Sequence, residues 1–355
     1  MRRLVKTYRN LYPQICSFEN LYDAWRKARK GKRYREGAAA FERVQEEELL
    51  ALQAELQHFT YQPGPYHSFY IHDPKKRLIS AAPFRDRVVH HALCRLMEPI
   101  WENRFIYDSY ANRVGKGTHR ALDRTTQFAR QYRYVLQCDV RQFFASIDLA
   151  ILRAELARLI PDENTLWLCD KILRSGEGVL QEEYETVYFP GDDLLAAIRP
   201  RGLPIGNLTS QFWANVYLNT FDHFVKRDLK CPAYIRYVDD FLLFGDDTCS
   251  LLNWRNAILE KMASLRLTLH EKRAQVFPTV TGIPFLGFRI YPDHRRIKYR
   301  KVVHYRRKLR RQLEEYSTGG VSITQLNACI QGWINHVRFG DTWGLRKAVL
   351  GAIVL

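Results

Sequence analysis

Tyr234-Ile235-Arg236-Tyr237-Val238-Asp239-Asp240-Phe241-Leu242-Leu243-Phe244 is the stretch on which the reading of this chain turns. Two apolar arms rich in β-branched and aromatic residues flank an Asp-Asp pair, the pattern of a strand-turn-strand with the acids at its tip. Packing does not explain two adjacent carboxylates there. At ~4 Å and an effective dielectric near 20, two such charges repel by about 4 kcal/mol. Divalent cations offset that repulsion, and a pair of Mg²⁺ ions clamping a phosphate is the chemistry that such a tip fits. An isolated match of this length is equally a solvated turn, so the rest of the chain has to decide.

Asp139 supplies the partner that the pair needs. It closes the apolar run Tyr134-Val-Leu-Gln-Cys138, which reads as a buried strand ending on a carboxylate within reach of the hairpin. Three carboxylates and a main-chain carbonyl, with substrate phosphates completing the coordination, are what two Mg²⁺ ions require. The chemistry would be in-line attack of a primer 3′-hydroxyl on the α-phosphate of a nucleotide. Phe144, five residues on, stands where an aromatic ring could press on the sugar 2′ position and exclude ribonucleotides; plain core packing is its alternative.

Composition agrees with a polyanion substrate. The 355 residues are 46% hydrophobic and 26% charged, ordinary for a globular protein, but the net charge is +17. The charge is clustered. Residues 1–35 hold 11 Lys/Arg against 2 acids, residues 294–355 hold 13 against 3, and the middle is nearly neutral. Basic ends around an acidic centre suit a nucleic acid gripped on both sides. Seven cysteines (16, 94, 138, 169, 231, 249 and 329) have no C-x-x-C spacing, and Cys94 and Cys138 lie in apolar surroundings, so reduced core residues are expected. No apolar run approaches 18 residues and the first residues lack a signal-peptide stretch, which predicts a soluble, cytoplasmic protein without membrane contact.

Periodicity predicts helices over 17–35, 41–59, from Pro83 through Ile100, and over 118–131, 148–160, 209–229 and 250–265. A hairpin is expected over 66–79, a hairpin or loop over 176–201, a strand pair over 282–291, and two helices over 302–316 and 323–339. Helices and strands mix without βαβ regularity, so the expected class is α+β with an antiparallel sheet and a helical C-terminal unit.

Four motifs occur in an order that resembles reverse transcriptases of the bacterial, group-II-intron-like kind. They are Asp139…Phe143-Phe144, Gly202-Leu-Pro-Ile-Gly-Asn-Leu-Thr-Ser-Gln211, Tyr237-Val-Asp-Asp240 and Phe285-Leu-Gly-Phe288. The likeness extends over about residues 70–345. It implies a right-hand polymerase: a basic N-terminal segment (1–40), fingers (41–130), a palm with an antiparallel sheet (131–293) and a helical basic thumb (294–355). It also implies that Asp139, Asp239, Asp240 and the Val140 carbonyl hold two Mg²⁺ ions. Arg77 and Lys75 would hold the incoming dNTP triphosphate, with Phe144, Ile205, Gly206 and Gln211 lining the nucleotide pocket. Lys272 would be an acid for the pyrophosphate. Phe285, Leu286, Gly287 and Phe288 would form the primer grip. Arg306, Arg307, Lys308, Arg310 and Arg311 would track the template–primer backbone, as would Arg26–Arg35, with Tyr299, Tyr305, Trp333 and Phe339 interleaved as possible stacking rings.

Most relatives carry Gln-Gly and Ser-Pro in the second motif, whereas Ile205-Gly206 and Ser210-Gln211 resemble the enzymes of diversity-generating retroelements. So does Gly332-Trp-Ile-Asn-His-Val337 with Thr342-Trp-Gly-Leu345. That resemblance implies cDNA synthesis from a template-repeat RNA, errors opposite template adenine during mutagenic retrohoming, and a small, basic, pentameric accessory variability protein as partner. A CRISPR-associated or domesticated intron-like enzyme is the alternative. A non-catalytic RNA-binding scaffold is another, which the intact acidic triad argues against. No nuclease, maturase extension or RNase H region is expected beyond residue 355, and neither is a complete intron-mobility protein.

Overall fold

The computed structural model describes residues 6–72 and 76–351. Lys75 lies outside the described residues. The strands are β1 (His67–Ile71), β2 (Arg77–Ala81), β3 (Tyr134–Asp139), β4 (Ala233–Tyr237), β5 (Asp240–Gly245), β6 (Gln275–Pro278), β7 (Ile283–Phe285), β8 (Phe288–Ile290) and β9 (Arg295–Ile297). They form a β1–β2 hairpin, a four-stranded sheet in the order β4-β5-β3-β6 and a three-stranded sheet β7-β8-β9, with every pair antiparallel. The α+β expectation with an antiparallel sheet holds.

β3, β4 and β5 are largely buried on both faces, which is why their interiors read as apolar runs interrupted only by Gln137 and Arg236, while β6 lies at the more exposed edge. Side chains alternate along each strand. Leu136, Cys138, Tyr234, Phe241 and Leu243 enter the larger core, against the helices Phe84–Glu102, Leu149–Leu159, Leu208–Arg227 and Thr248–Ser264. Val135, Ala233, Ile235, Leu242 and Phe244 enter a second core with the helix Thr118–Gln131 and with Ile283, Phe285, Phe288 and Ile290. The buried residues of a third core all lie in the C-terminal helices, where Tyr305 and Trp333 stack with ring centroids 4.2 Å apart, and Ile297 of β9 packs against it.

Several expectations need correction. The helix expected over 41–59 is two, Glu36–Arg43 and Gln45–Gln57, broken at Val44, whose φ of −125° and ψ of 36° leave the helical region. The 176–201 segment has no strand; it is irregular, with 3-10 turns at Gln181–Glu183 and Leu194–Ile198. It is staked down by Arg199 on Asp148 at 2.7 Å and by Arg266 on Asp192 at 2.7 Å. The sequence reading missed the helices Glu163–Ser175 and Trp343–Leu350 and the short strand β9. All seven cysteines are free, and Cys94 and Cys138 are buried as expected. Among the described residues no helix is long and apolar enough to cross a membrane.

Phe241 is fully buried, with its ring 5.1 Å from that of Phe221 and 6.2 Å from that of Tyr234. Phe241→Ala should lower the unfolding free energy by about 3–5 kcal/mol, read from urea melts, because the fixed sheet cannot collapse into the void.

Candidate active site

β3 and β5 pair with Asp139 directly opposite Asp240. That register brings two strand ends together across a hundred residues of sequence. The Val140 amide donates to the Asp239 carbonyl at 3.1 Å, and the His270 amide donates to the Asp139 carbonyl at 2.9 Å, so the backbone fixes each acid in place. The Val238-Asp239 turn joining β4 to β5 places Val238 at a φ of 58°. That conformation is an outlier for a β-branched residue.

Electrostatics mark the pair out. Asp240 is pushed up to about 8, first by burial, then by the Asp139 charge, with Asp239 adding to it. Gln137 works the other way: its Nε2 reaches Asp240 Oδ1 at 3.4 Å and the Pro284 carbonyl at 3.0 Å. Arg273 donates through Nη1 to Asp139 Oδ2. A guanidinium drawn onto one carboxylate and a proton held on its neighbour both answer a concentration of negative charge. This fits a place for hard cations, which oxygen donors would bind. Among the described residues no three His, Cys, Asp or Glu side chains converge closely enough to hold one ion by themselves. A site completed by phosphate oxygens does not need them to.

Several of the other expected residues are tied to one another by backbone bonds. Phe144 is half-buried with its ring edge-on to Phe143 at 5.3 Å, and its carbonyl accepts from the Leu203 amide at 2.8 Å. Gly202 donates to the Ile147 carbonyl at 2.9 Å, so the second motif runs alongside the first. The Ile205 carbonyl accepts from the Ser80 amide at 2.8 Å, which fastens the motif to β2, the strand that begins at Arg77. Asn207 completes the link by accepting from the Ala82 amide at 3.0 Å and donating to the Ser80 carbonyl at 2.9 Å. Gly206 has a φ of 121°, which favours glycine, and a Cβ there would lie 3.0 Å from Ile79 Cγ2, a tight contact that Ile79 would have to relieve. Arg77, Gly206 and Gln211 are exposed.

Lys272 is exposed on the 3-10 turn Glu271–Arg273, but it is Arg273 that contacts the acidic centre. Phe285 and Phe288 are fully buried core residues, and the Leu286-Gly287 turn between them is half-buried, with Leu286 packed against the second core. Both turn residues have positive φ, 46° and 91°. Arg306, Arg307, Lys308, Arg310 and Arg311 share the exposed side of the helix Tyr299–Ser317, opposite buried Tyr305 and Leu309. Of the four aromatics expected to interleave with them, Tyr305 and Trp333 stack on each other in the core, and Phe339 stacks on His119 at 3.5 Å; Tyr299 is 79% exposed. In the basic segment 26–35, Arg29 and Arg33 share Glu42.

The sequence reading missed Arg273 and Gln137. A glutamine inside the apolar run 134–138 was a visible signal, since a polar group on a buried strand needs a partner. The contact of Arg273 with Asp139 depends on the turn at 271–273 and left no mark in the sequence.

This arrangement of a two-carboxylate strand pair, an adjoining acidic turn and a glycine cradle is that of a nucleotidyl-transferring polymerase palm. The family model for reverse transcriptase (RNA-dependent DNA polymerase) matches residues 71–290, more than half of the chain, and the chain belongs to that family. It is an RNA-directed DNA polymerase of right-hand architecture. Protein YkfC of Escherichia coli is 27% identical over 300 residues, covering 72% of this chain and 74% of YkfC. The group II intron-encoded protein LtrA of Lactococcus lactis is 26% identical over 183 residues, covering 51% of this chain but 28% of LtrA. A Candida albicans telomerase structure, in complex with a telomeric RNA fragment, aligns with 83% of this chain and 56% of its own at 12% identity and a TM-score of 0.44.

The raised Asp240 gives a pH signature. An unfolded aspartate titrates near its ordinary value, so between about pH 4 and pH 8 the folded state holds a proton that the unfolded state has lost. Cation-free protein should therefore lose stability as pH rises through that window. Thermal melts of Asp240→Asn should lack this component, and added Mg²⁺ should stabilise the native chain most at the alkaline end.

Proposed function

We propose that this reverse transcriptase copies a template-repeat RNA into cDNA for a diversity-generating retroelement, with errors concentrated at template adenines. The observation that carries the reading is Ile205-Gly206…Ser210-Gln211, fastened through Ile205 and Asn207 to the strand that bears Arg77. Ile205 presents shape where a glutamine would present amide donors and an acceptor. The absence of a hydrogen bond of ~1 kcal/mol relaxes discrimination about fivefold per contact.

In this reading Asp139, Asp239, Asp240 and the Val140 carbonyl hold Mg²⁺. When bound, the ions supply charge neutralisation for the phosphates and acidify the primer 3′-hydroxyl. Arg77 grips the triphosphate of the dNTP as a guanidinium fork, together with Lys75. Phe144 bounds the sugar, Gly206 lets the backbone approach the nascent pair, and Gln211 lines the pocket. Lys272 serves the leaving pyrophosphate. The Phe285–Phe288 turn supports the primer end, and the basic face at 306–311 tracks the backbone. The units are fingers over 41–130, palm over 131–293 and thumb over 294–355, preceded by the basic segment 1–40. A pentameric basic accessory protein is the expected partner, in the bacterial cytoplasm. The likeness to LtrA, named for a group II intron, favours a domesticated intron-like enzyme as the second reading.

Purified chain with a primed RNA template, Mg²⁺ and dNTPs should extend the primer, and Asp239→Asn should abolish extension. Sequenced products of Ile205→Gln should show about fivefold less misincorporation opposite adenine than wild type. Extension without an adenine bias would refute the retroelement reading while leaving the polymerase intact.

A further inference from the structure

Arg236, two residues before the turn, is 1% exposed and carries a full positive charge in the core. Its guanidinium is fully engaged. Nε and Nη2 donate to Asp222 Oδ1 and Oδ2 at 2.7 and 2.6 Å. Nη2 also donates to Ser109 Oγ at 3.2 Å. Nη1 donates to Asn215 Oδ1 at 3.2 Å and to the Val238 carbonyl at 3.0 Å. Five N–H groups thus meet five acceptors. Asp222 in turn accepts from the Tyr234 hydroxyl at 2.7 Å.

A buried ion pair is seldom more stabilising than a well-packed apolar substitute, so stability alone does not account for this one. What a guanidinium can do here, and an apolar side chain cannot, is hold the Val238 carbonyl. That carbonyl belongs to the peptide between Val238 and Asp239. Its orientation fixes where Asp239 projects. Val238 pays for its φ of 58° with strain of about 1–3 kcal/mol, which persists only where surrounding contacts over-determine it. Arg236 grips the turn at the Val238 carbonyl, and the Val140 amide grips it at the Asp239 carbonyl.

We infer that Arg236 is a positioning residue, anchored by Asp222 and aimed by Asn215, that sets the Val238–Asp239 peptide plane and thereby the spacing of the carboxylates toward divalent cations. The inference rests on the reading of Asp139, Asp239 and Asp240 as cation ligands. Arg236→Lys keeps a charge for Asp222 but cannot span to Val238 and Asn215 as well. Mn²⁺ binding, read from the free-ion EPR signal, should weaken about tenfold or more in Arg236→Lys. In primed-template kinetics, kcat should fall while the KM for dNTP stays within about twofold, as expected when an interaction beyond substrate binding is lost. A variant that melts lower but binds Mn²⁺ like wild type would overturn the inference, because the role would then be structural only. Should Arg236→Lys not fold, Asn215→Ala leaves the ion pair intact and should weaken Mn²⁺ about three- to fivefold; unchanged binding there overturns it equally. Mn²⁺ binding that survives Asp239→Asn unchanged would instead remove the cation-ligand reading itself, and the inference with it.

Discussion

The pairing of β3 with β5 in the register that sets Asp139 against Asp240 is the constraint from which the rest of this structure follows. It forces like charges together, and the fold must hold that arrangement against their repulsion. It does so by placing both strands in the centre of the sheet, where they are largely buried on both faces. A one-residue slip there would exchange every side chain between the two cores, sending Phe241 and Leu243 where Leu242 and Phe244 belong. The apolar alternation that keeps the sheet folded is therefore also what keeps the carboxylates aligned.

Beyond that fixed centre, the chain turns sharply through positive-φ positions. Val238 leads into the acidic turn, Gly206 brings the second motif against Ile79, and Leu286-Gly287 joins two buried phenylalanines. Each turn is fastened to a separate element: Val238 to Arg236, Gly206 through its neighbours to β2, and Gly287 through its carbonyl to the Lys298 amide at 3.1 Å. Strain held by rigid neighbours yields a surface that is already shaped when substrate arrives, which is how preorganised sites avoid reorganisation during reaction.

Much of this was legible in the sequence because the signals were local or strongly periodic. The strand ending on Asp139, the hairpin around Asp239-Asp240 and the helix Thr118–Gln131 follow from runs and breakers that a linear reading can see. What could not be read depends on contacts distant in sequence. Nothing near Val44 announces a helix break, and Glu163–Ser175 was passed over because its apolar face becomes evident only against its neighbours. Tyr305 and Trp333 lie among basic residues and read as possible base-stacking rings, yet they stack on each other, because the C-terminal helices need a core of their own. In the site, the carboxylates and Gly206 were visible as residue types in order. Arg273 and the network of Arg236 were not, since a lone arginine in a sequence does not reveal which acid it meets.

The distribution of charge then explains why the acidic centre does not spoil nucleic-acid binding. The repulsion that three carboxylates exert on a phosphate backbone falls off within about 8–10 Å at physiological salt. The exposed arginines and Lys308 at 306–311 lie on a helix whose buried side belongs to the third core, whereas the acids sit on the four-stranded sheet. Arg295 links the two regions, bonding Thr126 at 2.7 Å, Asp123 at 2.8 Å and the Phe339 carbonyl at 3.3 Å. Apolar contacts join them as well: Ile297 packs against both the second and the third core, Phe339 packs against the second, and the rings of Phe288 and His336 lie 5.2 Å apart. The basic face is therefore tied to the sheet that carries the carboxylates by shared packing as well as by Arg295, which keeps the two charge signs in a fixed relation.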